Sequence, residues 1–425
     1  MKKKKLVGII SILTIAILSI FIVFNVIPVS DNLQFYDWHK TWDEGGNDRG
    51  YGICSDENGS VYISGSGYNY AAQEISPFII QYDRSGRNIW ELTWGEHDNC
   101  RAITIDNESN LYIGGDRHNF IYDNSSFMLM KLNKSKQLEW GRLWGTSDYS
   151  RLNNIVLDSL GNVYAIGQTL NLYLLRKYTT NGSFLWETSW ARHTDHISGK
   201  IDIDSIDNIY VTGTSGEEMF LAKYNSTGDL DWYKTFGADN QSILSYDIVV
   251  DSYNNIYTCG FVDISLPTPG TYVTDVFVAK FSASGDQMWN KTWGGSHYDE
   301  AYGIDIDLNG YLYITGYTTS YEYQKLFVLK YSDKGMKMWS NVLDFSVEDF
   351  GREIVINSFG DIYVVGHTYT IDGRTDALIV KMSSTPPPQI PGYDIFLLLI
   401  VSNTTFIIIG IKNMKLYKKK TRVCN

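Results

Sequence analysis

The chain has 425 residues, is 14% aromatic with 31 tyrosines and 12 tryptophans, and carries a formal net charge of −12. Setting aside the four lysines at 2–5 and the six basic and one acidic residues beyond 391, residues 31–391 hold 26 basic against 47 acidic side chains. So acidic a body sets nucleic acid aside as a partner, because phosphate binding needs clustered Lys and Arg; cations or basic partners are electrostatically easier.

In chain order, Lys2–Lys5 is followed by Leu6 to Ile27, an almost uninterrupted apolar run long enough to span a bilayer. Residues 1–30 read as a signal anchor or a signal peptide. The length of the run and the lack of an A-x-A site favour a retained anchor.

From residue 36 to 382 the chain repeats. Leading tryptophans stand at Trp38, Trp90, Trp140, Trp186, Trp232, Trp289 and Trp339, at intervals of 52, 50, 46, 46, 57 and 50 residues. Four residues on lies a second large apolar side chain: Trp42, Trp94, Trp144, Trp190, Phe236, Trp293 and Leu343. A period near 50 over the whole length marks a propeller or a solenoid. Within one repeat, Gly303 to Asp307 alternates as a strand, Leu308-Asn309-Gly310 signals a turn, and Tyr311 to Gly316 reads as a second strand. After a loop of variable length comes Phe327 to Tyr331, and Asp333-Lys334-Gly335 turns the chain into a fourth strand carrying Trp339. Four strands, two tight turns and two longer loops make one antiparallel propeller blade.

Other positions keep the same frame. A Tyr-x-x-Gly element occurs in every copy, as in Tyr62/Gly65 and Tyr313/Gly316, and an Asp stands six residues before the Tyr, replaced by Asn357 in the last copy. The Asp suits capping of turn amides, and the Gly suits a close approach of backbones. A Lys recurs in the third strand (Lys131, Lys177, Lys223, Lys280, Lys330, Lys381) as a structural position. Tryptophans four apart share one strand face, and seven equivalent copies point to core between blades rather than to a sugar-stacking ladder.

The ends complement each other. Trp38 has no preceding strands of its own, and the last copy lacks a tryptophan strand. Strand 36–42 is therefore expected beside Ile379–Met382, closing the ring. The fold class that follows is all-β: a seven-bladed β-propeller of four-stranded antiparallel blades, flanked by N- and C-terminal transmembrane helices. After the propeller come a Pro-rich linker (383–394, with Pro386–Pro388), a second apolar segment read as a transmembrane helix (395–411) and a basic tail (412–425). Both basic ends belong in the cytoplasm under the positive-inside rule, which puts the propeller outside the cell. Both tethers are expected on the tight-turn face, leaving the variable-loop face for function.

The repeat Trp293-Gly-Gly … Asp299 … Gly303-Ile-Asp-Ile-Asp307 … Gly310 … Tyr313-Ile-Thr-Gly316 … Lys330-Tyr331 … Gly335 … Trp339 resembles the bacterial and archaeal beta-propeller repeat of the SBBP type. The end beginning Pro391-Gly392-Tyr393 is similar to membrane anchors of archaeal surface proteins. These resemblances imply an exported surface propeller and no particular reaction.

Candidate ligand-face residues are loop tyrosines, chiefly Tyr68, Tyr70, Tyr272, Tyr317, Tyr321 and Tyr323, with the acidic Asp48 and Asp299, a composition suited to sugar or peptide recognition. His193 and His196 join them from an inter-blade loop; with Asp195 they offer three metal-ligand types, but no fourth can be named. Asp305-x-Asp307-x-Asn309-Gly310 is half a calcium loop whose twelfth position is Gly316, so it reads as a hairpin turn. Cys54, Cys100 and Cys259 have no pairing pattern and read as free buried thiols. Asn-x-Ser/Thr sites such as Asn58, Asn107, Asn133, Asn181 and Asn225 make glycosylation of the turn face plausible. No nucleophile elbow, phosphate loop or dinucleotide motif is present, and no cofactor is implied. Lys223 to Trp232 is similar to the docking element of quinoprotein repeats, but the vicinal cysteines of many such enzymes are absent. The reading is a membrane-anchored extracellular binding module for a surface glycan or protein. The alternatives are an extracellular enzyme on polysaccharide or lactone, and a quinoprotein-like or scaffold propeller.

Overall fold

The computed structural model describes residues 35–384, apart from 71–73, 96, 120–123, 148, 171, 192–198, 238–240, 266–271 and 322. The expected flanking helices, the linker beyond 384 and the tail lie outside the described residues. Among the described residues no helix is long and apolar enough to cross a membrane.

Among the described residues, twenty-eight strands form seven four-stranded antiparallel sheets. In six blades the strands run in sequence order from the inside outward. The first strands, which line the central channel, are Gly46–Ser55, Asp98–Ile105, Ser150–Leu157, Gly199–Ile203, Ile243–Val250, Asp299–Ile306 and Glu348–Ile356. The seventh blade takes its outer strand, Trp38–Trp42, from the amino-terminal end. It pairs with Thr375–Ser383 in the register Trp38↔Lys381 to Trp42↔Ala377. Ring closure by shared ends is thus observed as expected, and residues 37 and 383 meet at the tight-turn face.

Seven hydrophobic clusters, one per blade interface, hold the ring together. The cluster joining Val365, Ala377 and Ile379 to Ile63, Phe78 and Ile80 seals the last blade to the first. The second aromatic of each pair enters these interfaces: Trp42 lies 4.1 Å from Phe78, Phe236 4.6 Å from Phe281 and Trp293 4.9 Å from Phe327. The leading tryptophans act at the rim. Trp38, Trp140 and Trp289 donate Nε1 hydrogen bonds of 3.1–3.2 Å to carbonyls in the third-to-fourth-strand turn of the next blade. The ring lies over the turn glycine, where a Cβ on Gly86, Gly182 or Gly335 would meet it at 2.7–3.0 Å. These glycines also have φ of 74–84°, so both sterics and backbone demand Gly.

The Asp–Tyr spacing has a direct cause. Asp56 Oδ1 accepts the amides of Asn58 and Ser60, and its Oδ2 takes the Tyr62 hydroxyl at 3.3 Å. Asp204, Asp251 and Asp307 make the same bonds to Tyr210, Tyr257 and Tyr313 at 3.0–3.2 Å. Lys177 pairs with Asp158 at 2.9 Å and with the Tyr164 hydroxyl at 2.6 Å, so the recurring lysine serves the blade. Cys54, Cys100 and Cys259 are free and buried.

Candidate functional site at the loop end of the channel

The glycine that ends each Tyr-x-x-Gly element shapes the channel. A Cβ on Gly115, Gly260, Gly316 or Gly366 would lie 1.8–1.9 Å from the carbonyl oxygen of Asn99, Leu244, Glu300 or Phe350 in the adjoining first strand. That carbonyl belongs to a β-bulge. In six blades the first strand skips one residue against the second, at Tyr51, Arg101, Asn153, Tyr246, Tyr302 and Arg352. A bulge re-aims a side chain and interrupts pairing at the strand's edge. Here the extra residue joins the half-exposed alternates of the first strand, such as Arg49, Asn99, Arg151, Glu300 and Phe350, on the channel wall. Because these positions precede the tight turn, they sit toward the variable-loop face.

Four arginines meet there. Arg101 pairs with Asp116 at 2.5 Å and lies 5.3 Å from the Tyr51 ring centre. Arg352 lies 4.9 Å from the ring of Tyr302. Among the described residues, Arg151 donates a hydrogen bond to the Tyr149 hydroxyl, at 3.4 Å. The Nε atoms of Arg49, Arg151 and Arg352 are buried with no hydrogen-bond partner. Burial would raise the Tyr51 phenol, yet Arg101, then Arg49, Arg352 and Arg151, outweigh it and draw it below its ordinary range. Burial and the neighbouring Arg101 push Arg151 down. The wall that adjoins Arg352 is aromatic. Tyr246 stacks on Tyr302 at 4.8 Å, Tyr302 on Tyr317 at 6.0 Å, and Phe350 on His367 at 4.6 Å. Glu300 accepts the Tyr302 hydroxyl at 2.8 Å. His367, 2% exposed, keeps an unpartnered Nδ1, and burial, then Arg352 and Arg49, hold it well below the usual imidazole range. Gln168, fully buried beside Arg151 in the strand pairing, accepts from Asn153 and has an unpartnered Nε2.

Below the mouth, a cavity of ≈ 320 Å³ is lined by Gly52, Cys54, Ala102, Asn154, Lys200 and Glu353, among others. Lys200 bonds Glu353 and lies 3.9 Å from Asp247. The remaining channel acids bridge blades: Asp202 accepts the Val250 amide at 2.7 Å, Asp247 that of Ile304 at 2.8 Å, and Asp305 that of Ile356 at 2.7 Å. Burial raises Asp202 and Asp305 to about 7. Burial and Asp247 raise Glu353, against the pull of Lys200. Lys200 itself is pushed down by burial and pulled up more strongly by Glu353 and Asp247, so it stays charged and neutralises one of the two acids.

Of the residues anticipated from sequence, Tyr317 lies in the mouth. Tyr68 and Tyr70 form an edge-to-face pair at 5.2 Å over Asn47, whose amide donates to the Tyr70 hydroxyl. Tyr321 and Tyr323 are exposed on their loop. Asp48 and Asp299, both 0% exposed, accept the Glu44 and Gly295 amides at 3.0 Å and fix inter-blade loops instead of facing solvent. Tyr272 begins a strand, but its side chain, like all of His193 and His196, lies outside the described residues. Arg49, Arg101, Arg151, Arg352, Tyr51, Tyr246 and Tyr302 were not anticipated. For the bulge residues among them the signal is a contrast between copies: aligned repeats carry Tyr, Arg or Asn there, whereas the position two residues on is Ile in all six. Among the described residues no cluster of His, Cys, Asp and Glu could hold a metal ion.

Residues 293–324 match the family model described as the beta-propeller repeat, SBBP. No curated protein matches the chain in sequence. The fold is similar to that of a streptogramin B lyase, with a TM-score of 0.50 and 11% identity over 83% of this chain and 100% of that one. It is equally similar to a polysaccharide lyase of family 25, an ulvan lyase, with a TM-score of 0.50 and 9% identity over 81% of this chain and 96% of that one. At such identities the likeness concerns the fold alone.

Proposed function

We propose that this beta-propeller repeat protein is a membrane-anchored surface module that binds its ligand, without catalysis, at the loop end of the channel. One observation carries the reading: six bulges deliver non-repeating Tyr, Arg and Asn side chains to one mouth, where three arginines keep buried, unpartnered Nε donors. A buried donor without a hydrogen-bond partner costs stability, so such a set suits a ligand that supplies what is missing. Both ends of the propeller emerge on the opposite, tight-turn face, and tethers at 6–27 and 395–411 would hold the mouth away from the bilayer.

An enzyme would need carboxylates or histidines free to act in the channel. Asp202, Asp247 and Asp305 do converge there, but each is engaged by a backbone amide of the next blade. Binding is therefore the preferred reading. The test has two parts. In intact cells the full-length chain should fractionate with membranes while its propeller lysines label with a membrane-impermeant reagent. On a glycan and peptide array the purified chain should bind, and Arg352→Ala should weaken that binding. Silence on the array together with turnover of a chromogenic polymer would sink the binding reading in favour of an enzyme.

A further inference from the structure

Resting on that reading of the mouth, we propose that its ligand is the acidic end of a saccharide, a sugar unit bearing a carboxylate or sulfate whose oxygens are held by Arg49, Arg151 and Arg352. The three guanidiniums form no ion pair with a described residue, whereas Arg101 beside them is already satisfied by Asp116. Arginine's planar fork fits a carboxylate or sulfate by two parallel hydrogen bonds, and such charge-assisted bonds strengthen where water is scarce. An arriving anion would complete what the fold leaves open.

The rest of the mouth selects within the class of anions. Residues 31–391 carry 47 acidic against 26 basic side chains. A densely charged polyphosphate would meet repulsion everywhere except at this one spot. A single acidic unit on an otherwise neutral chain would not. An extended peptide seeks a continuous strand edge with which to pair, and the bulge in six first strands interrupts that edge. What remains on the wall is suited to a polyhydroxy ring. Tyr51, Tyr246, Tyr302 and Tyr317 line it with phenol rings, of which the Tyr302 hydroxyl is already donated to Glu300, and Gln168 holds a buried, unpartnered amide nitrogen next to Asn153.

The experiment titrates the full-length chain in detergent, by calorimetry, with tetragalacturonate, a sulfated tetrasaccharide, neutral maltotetraose, a phosphoserine peptide and a ten-nucleotide single-stranded DNA. At least one acidic tetrasaccharide should bind ~10-fold or more tighter than maltotetraose, the ratio expected of one or two charge-assisted bonds. The Arg49→Gln/Arg352→Gln chain, checked for an unchanged melting temperature, should lose that preference, and Arg352→Lys should lose part of it because the point charge survives and the fork does not. Equal binding of maltotetraose, preference for the peptide or DNA, or silence toward both acidic sugars overturns the inference. If the preferred probe is of another class but the double substitution still abolishes it, only the ligand class has failed. If the probe the parent prefers binds the doubly substituted chain at full strength, the mouth is not the site and the reading beneath the inference fails with it.

Discussion

The two halves of the channel are built from the same seven strands, yet they treat charge in opposite ways. Toward the tight turns, Lys200 is matched by Glu353 and Asp247, and Asp202, Asp247 and Asp305 are each spent on an amide of the next blade. Toward the loops, Arg49, Arg151 and Arg352 form no ion pair with a described residue, and their Nε atoms are buried without a hydrogen-bond partner. Side chains that close their own hydrogen bonds hold blades together, and side chains that leave them open are available to something else. The difference also qualifies the composition. The body is acidic overall, but its charge is not uniform, and the basic residues gathered at one mouth give it a local polarity that the net value hides.

The sharpest way to break this contrast is to open a charge in the satisfied half. Lys200→Met leaves Glu353 and Asp247 facing each other, with 15% exposure of the lysine side chain in the intact site. Urea unfolding at pH 7.5 should show a loss of about 3 kcal/mol or more, the usual cost of removing one partner of a buried pair. At pH 5 most of that loss should vanish, because Glu353, already raised by burial and by Asp247, can then take up a proton. A variant as stable as the parent at pH 7.5 would mean that the lower channel is no more committed than the mouth.

The same half sets the pH dependence of the whole propeller. Burial raises Asp202 and Asp305 to about 7. Between about pH 4 and 7 the folded chain therefore holds more protons than the unfolded one, so stability falls as pH rises through that window and levels off above it. Thermal unfolding should give a melting temperature ~3 °C or more higher at pH 5.5 than at pH 8. In Asp202→Asn/Asp305→Asn the slope should flatten. A rise in stability from pH 5.5 to 8 would show that these carboxyls are better solvated than their burial implies.

The fold was legible because it repeats. Trp38 to Trp339 gave the blade count, Asp56 and its equivalents the turns, and the incomplete ends the closure at Trp38↔Lys381. Each of those features is a local rule satisfied several times over. The mouth was not legible for the converse reason. A period-two reading of Asp98-Asn-Cys-Arg-Ala-Ile103 cannot place Arg101 correctly, since the bulge shifts the face of every residue after it. Nor did loop composition separate Asp48 and Asp299, which cap loops from within, from a residue such as Tyr317 that faces the channel. The glycine in the second strand leaves room for the carbonyl just before the bulge, but it does not mark the bulge, since Gly213 stands in a blade whose first two strands pair without one.

The smallest expected effect is the most discriminating. Neutralising Arg49 and Arg352 removes two charges that make no ion pair with any described residue. If the mouth is held open for a ligand, the cost of keeping those charges is borne by the free protein, and Arg49→Gln/Arg352→Gln should unfold in urea within about 0.5 kcal/mol of the parent, or slightly later. The packing of the Arg352 guanidinium against Tyr302 and Phe350 limits the gain, because the glutamine gives up those ring contacts. A loss above about 2 kcal/mol would place these arginines among the blade-holding groups, on the same footing as Lys200, and would erase the distinction between the two ends of the channel.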